Sequence, residues 1–146
     1  MKRLAAIVLC AAPILSAGCA VQGRPFEEAR TPADDAVIYV YRPYSYFGSL
    51  LRPAVTCGEE TARIGPGGYY AFAVPAGKTV CSVHTETADE VELHARPIAY
   101  YIREEIGWGV LTGHAHLNPI DSDRAQTEIQ KCCVEEPQNI DDGRGG

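Results

Sequence analysis

Basic residues are few in this chain and never cluster. Thirteen Lys and Arg face nineteen Asp and Glu over 146 residues, for a formal charge of −6. In the body of the chain they come singly, as Arg42, Arg52, Arg63, Lys78, Arg96 and Arg103. Phosphate backbones are bound by grouped cations that release counterions. Nucleic acid is therefore excluded as a partner, and so is electrostatic docking on an anionic bilayer. No apolar run reaches the about 20 residues that a spanning helix needs. GxSxG, HExxH, a Ser-His-Asp spacing and a phosphate-cradling glycine loop are all missing. The glycines of "IGPGGYY" (residues 64–70) lead into a strand signal, so they lack the helix N-terminus that would hold an anion. No catalytic site and no cofactor is expected.

What is present is an ordinary globular composition, 46% hydrophobic and 8% aromatic, in a length that suits one domain. Ahead of it stands a leader. Met1-Lys2-Arg3 is a positive start, "LAAIVLCAA" (residues 4–12) is apolar, and Pro13 breaks the helix before Ser16-Ala17-Gly18. Residues 1–18 read as an export signal. Once they are removed, 11 basic and 19 acidic residues remain, a charge of −8. Ordinary signal peptidase would accept Ser16 and Gly18 as its small residues.

Small residues directly before Cys19 also resemble the lipobox of bacterial lipoproteins, Leu-Ala-Gly-Cys. Here the leucine falls one place early, at Leu15, with Ser16 in its position. The resemblance implies that Cys19 is acylated and becomes the mature N-terminus. Several acyl chains, at about 0.8 kcal/mol per buried methylene, make a permanent anchor where one chain is marginal. Residues 19–35, polar and punctuated by Gly23, Pro25 and Pro32, read as a flexible tether. Ala20 in place of Asp favours the outer membrane, facing the periplasm, by the best-known sorting rule.

From Ala36 the composition turns β-branched and aromatic. Strand signals cover residues 36–41, 53–57, 61–64, 68–74, 78–85, 90–95, 98–104 and 110–117, separated by turn dipeptides such as Cys57-Gly58 and Pro75-Ala76-Gly77. The spacing predicts a mainly β fold over residues 36–134, a single antiparallel β-sandwich of immunoglobulin-like or transthyretin-like type. One short C-terminal helix is expected over "DSDRAQTEIQKCC" (residues 121–133), with acidic caps at its start and Lys131 near its end. Residues 135–146, acidic and rich in Gly and Pro, read as a disordered tail.

Residues 38–80 resemble the bacterial lipoprotein family known as domain of unknown function 2846. The motifs are Tyr39-Val40-Tyr41-Arg42-Pro43, Phe47-Gly48, Gly67-Gly68-Tyr69 and Pro75-Ala76-Gly77. Tyr100-Tyr101 and a helix ending at Cys132 extend the likeness to residues 36–134; it departs at Arg96-Pro97, where the family carries a glycine. The resemblance implies a small β-rich envelope domain, often lipid-anchored, and no activity.

Four cysteines follow Cys19. In an oxidising compartment Cys57, Cys81, Cys132 and Cys133 allow three pairings. Cys57–Cys81 is favoured because both lie in strands flanking a hairpin-like segment. Cys132 and Cys133, about 100° apart on a helix, cannot both face one core. Neither pair has the C-x-x-C spacing of redox sites. "HAH" puts His114 and His116 on one strand face, opposite Leu111 and Leu117, and so toward solvent. Two imidazoles at that spacing could take zinc or copper, with a third ligand from elsewhere. The tyrosines of "YVYRPYSYFG" (residues 39–48) and Tyr69-Tyr70 read as core packing, or as an aromatic patch for a glycan or protein. The expected function is a lipid-anchored, non-catalytic envelope module that binds an envelope protein or cell-wall glycan. The alternative is a metal-handling or enzymatic periplasmic protein using His114 and His116 with Glu104 or Glu105.

Overall fold

The computed structural model describes residues 23–110 and 113–137. The expected export signal (residues 1–18), Cys19 and Leu111 lie outside them. Among the described residues, nine strands and one helix follow in chain order: β1 (Asp35–Arg42), β2 (Ala54–Cys57), β3 (Glu60–Arg63), β4 (Gly68–Pro75), β5 (Gly77–His84), β6 (Ala88–Ala95), β7 (Ala99–Gly107), β8 (His114–Ile120), α1 (Ser122–Cys132) and β9 (Val134–Glu135). They form a five-stranded sheet, β8-β7-β1-β4-β9, packed on a four-stranded sheet, β3-β2-β5-β6. The fold is mainly β and its two open sheets make a sandwich.

β1 is the axis of the molecule. It is an unbroken apolar and aromatic run, and a strand covered on both faces must read that way. Ala36, Ile38 and Val40 point between the sheets, into a core with Val55, Ile64, Phe72, Val83 and Ile102. Val37, Tyr39 and Tyr41 point the other way, into a second core with Tyr69, Tyr101, Ala125 and Ile129. That second layer is roofed by α1. The helix starts on Asp121, whose side chain accepts the Arg124 amide, and it buries Ala125 and Ile129.

Three features differ from the sequence expectation. The pairing is not wholly antiparallel: β1–β7 and β4–β9 are parallel. The first joins two distant strands, with the whole four-stranded sheet folded in between. The eighth strand begins at His114 rather than residue 110. Both ends of the domain also reach further than composition implied. Val134–Glu135 form β9 and Glu136 is 2% exposed, so the expected tail (residues 135–146) is ordered at its start. The expected tether (residues 19–35) is tied down from its middle onward: Pro25 bridges Val134, Glu135 donates its amide to the Arg24 carbonyl, and Phe26 packs edge-on against Tyr39 and Tyr69. Side-chain and edge pairing decide this, and polarity averaged over a window does not register either.

Candidate functional site

The four described cysteines pair as two disulfides. Cys57 and Cys81 face each other in the β2–β5 ladder and are disulfide-bonded. Cys132 and Cys133 are bonded to each other. The helical 100° rule stops applying one residue early, because Cys133 is the C-cap and already extended (φ −134°, ψ 146°). Its sulfur is buried against the Arg42 carbonyl.

Of the two carboxylates expected beside the histidines, Glu105 stands opposite His116 in the β7–β8 ladder, whereas Glu104 stands opposite Leu117. His114 and His116 share a face, with ring centres 6.5 Å apart. Each has its own acidic neighbour: Glu86 at 3.4 Å from His114 and Asp89 at 3.8 Å from His116. Those carboxylates also hold backbone, Glu86 through the amides of Val110 and Gly113 and Asp89 through that of Leu117. Strand alternation puts Glu104 and Glu105 on opposite faces of β7. Glu105 pairs with Arg103 and Asn118, whereas Glu104 is wholly buried. Among the described residues no group of three or more His, Cys, Asp or Glu is placed to hold a metal ion.

One end of the sandwich, where β1 and β7 run out, holds the unusual chemistry. Arg42 ends β1 on the inner face, 2% exposed. Its guanidinium donates to the carbonyls of Leu51 (2.7 Å), Ile64 (3.3 Å) and Gly48 (2.6 Å). Those bonds curl residues 43–51 over the end of the core. Gly48 is needed at the tightest point. Its φ is +72°, and a Cβ there would sit 2.7 Å from Ile106. Glu136 closes the far side, accepting from Arg52 at 2.8 Å and from the Gly65 amide at 3.0 Å. Burial pushes the Glu104 carboxyl up to about 8, with Glu136 adding to the rise and Arg42 opposing it. Burial draws the Arg42 guanidinium down from its ordinary value.

Over this end lie two uncharged loops that touch. The first, residues 43–51, is "PYSYFGSLL"; the second begins "IGWGV" at residues 106–110. Phe47 and Trp108 pack with ring centres 4.3 Å apart. Glu86 fastens the second loop from β5–β6. Beside the first loop runs a cleft of about 440 Å³ lined by Tyr44, Phe47, Arg103, Glu105, Ile106 and His116, among others. The loops display most of the exposed apolar surface among the described residues: Tyr44, Tyr46 (91%), Leu50 (86%), Trp108 (83%) and Val110 (90%). The tyrosines of the sequence thus divide. Tyr39, Tyr41, Tyr69 and Tyr101 are core, whereas Tyr44 and Tyr46 are surface. Sequence reading left both possibilities open for the tyrosines, and it gave Trp108 and Leu50 no role. The lack of charge across both loops is the signal that could have found them.

No protein-family model matches the chain, and no curated protein matches it either.

Proposed function

We propose that this chain is a lipid-anchored, non-catalytic module of the bacterial cell envelope, held at Cys19 and making its contacts through the loop end of the sandwich. The observation that carries the binding half of this reading is the exposure of Tyr46, Leu50, Trp108 and Val110 on two uncharged loops that touch through Phe47 and Trp108. Monomers rarely leave such surface uncovered unless something binds there. The anchoring half rests on the lipobox-like run ending at Gly18-Cys19. The likeness to the lipoprotein domain of unknown function 2846 points the same way, and the outer membrane facing the periplasm is the favoured location.

Intact-mass analysis of protein from the native host tests the anchor: a diacylated Cys19 is expected, and an unmodified thiol refutes it. Cys19→Ala should move the protein from the membrane pellet to the soluble periplasmic fraction. The metal-handling alternative predicts stoichiometric micromolar zinc or copper binding that His116→Ala abolishes. With each imidazole matched to a separate carboxylate, no such binding is expected in a titration.

A further inference from the structure

We infer that the loop end of the sandwich docks on the surface of a lipid bilayer, seating Tyr46, Leu50, Trp108 and Val110 in its interfacial layer. The inference rests on the anchored-module reading and names what covers that module's apolar surface. Five of the six large hydrophobic side chains that are exposed among the described residues sit on the two touching loops, and only Ile98 lies elsewhere. Residues 43–51 and 106–110 carry no charge in a chain that is 22% charged. Tryptophan and tyrosine favour the headgroup level, where the ring is apolar and its polar edge stays wet. Leu50 and Val110 supply aliphatic surface to the acyl boundary below it. A protein with a net charge of −8 without its leader has no coulombic grip on an anionic leaflet. Apolar seating is the mode open to it.

The position of the anchor makes the bilayer the fitting occupant. Pro25, Val134, Gly68 and Arg42 lie abreast across the five-stranded sheet. Three strand spacings, about 14 Å in all, therefore separate Pro25 from the residue where the first loop begins. Cys19 stands six residues before Pro25, at most about 20 Å of extended chain. An acylated Cys19 and the loop end are thus within reach of one membrane plane. A tether that short holds the loops at millimolar or higher effective concentration beside lipid, so a contact too weak to recruit free protein still closes. The loops are also pre-shaped for it. Arg42 and Gly48 fix the first, Glu86 fixes the second, and Phe47 against Trp108 joins them.

The test uses a chain beginning at Cys19, which keeps every described residue. With Cys57–Cys81 and Cys132–Cys133 bonded, Cys19 is its one free thiol and can be coupled to a maleimide phospholipid in phosphatidylcholine vesicles. Trp108 is the sole tryptophan and reports directly. A blue-shifted emission, quenched by brominated acyl chains, is expected. Leu50→Ser with Val110→Ser should weaken that quenching several-fold with unchanged thermal stability, since both side chains are exposed. Solvent-like, unquenched Trp108 in the tethered protein overturns the inference and leaves the loop end to a protein or glycan. Coupling imposes the anchor, so the outcome stands apart from the native one. Quenching with an unmodified native thiol sinks the anchor alone, and a diacylated Cys19 with unquenched Trp108 sinks the docking alone.

Discussion

Glu104 lies between the sheets with neither carboxylate oxygen accepting a hydrogen bond among the described residues, and a full charge there would be poorly compensated. Arg42, the nearest cation, has turned its donors onto the carbonyls of Gly48, Leu51 and Ile64. With the folded carboxyl at about 8 and the unfolded one near about 4.3, the native state binds the extra proton between those values. Stability is then complete below the lower value and falls as pH rises through the upper one, by up to about 1.4 kcal/mol per pH unit. Thermal melts should show a transition temperature declining from pH 5 to 8. Glu104→Gln keeps the shape, removes the titration, and should flatten that profile. A wild-type profile as flat as the variant's would show that Glu104 is ionised in the fold.

The disulfides separate at the same scale. Cys57–Cys81 spans 24 residues and, by loop-closure entropy, contributes about 3 kcal/mol. Cys132–Cys133 spans one and constrains almost no chain. Denaturant unfolding of Cys57→Ala/Cys81→Ala should reveal that loss. Cys132→Ser/Cys133→Ala should cost only about 1 kcal/mol, the packing of one small buried side chain.

Among the elements, those whose pattern is local were legible and those whose partner is remote were not. The alternating burial of β5 and the doubly covered run of β1 follow from their own letters, as does α1, capped by Asp121 and closed near Lys131. Asp121→Ala should lower unfolding stability by about 1 kcal/mol, the usual value of such a cap. Ile129→Ala, which empties the layer beneath α1, should cost about 2–5 kcal/mol. β9 was out of reach because two residues carry no periodicity, and their strand character comes from the edge of β4 that receives them. The parallel β1–β7 pair was hidden for a related reason: register between strands over fifty residues apart is set by tertiary packing, which no window contains. At the site, Arg42 read only as one of several cations scattered singly along the chain. Its burial depends on the Gly48 and Leu51 carbonyls that the curl of residues 43–51 brings to it, and on that of Ile64.

Across the whole molecule, the two ends of the domain hold each other. The segment around Pro25 pairs with β9, β9 pairs with β4, and Glu136 reaches past both to Arg52 and the Gly65 amide. The C-terminal strand is therefore what keeps the N-terminal segment, and any anchor ahead of it, at the level of the loop end. Two shortened chains separate this from simple fraying. One stops after Pro137 and retains every one of these contacts. The other stops after Cys133 and loses the β9 ladder, the Glu136 bonds and the partner of Pro25, leaving Arg52 and the Gly65 amide without their acceptor. Lost bonds to charged groups cost about 1.5–3 kcal/mol each, so the shorter chain should be less stable than the longer by about 3 kcal/mol in urea. Its segment around residues 23–30 should become the first site of proteolysis, as a freed edge must. Equal stability and equal protection in the two chains would mean that the N-terminal segment is held by Phe26 against Tyr39 and Tyr69, with the bonds of Ala29 to the Tyr39 hydroxyl and of Glu28 to Gln126.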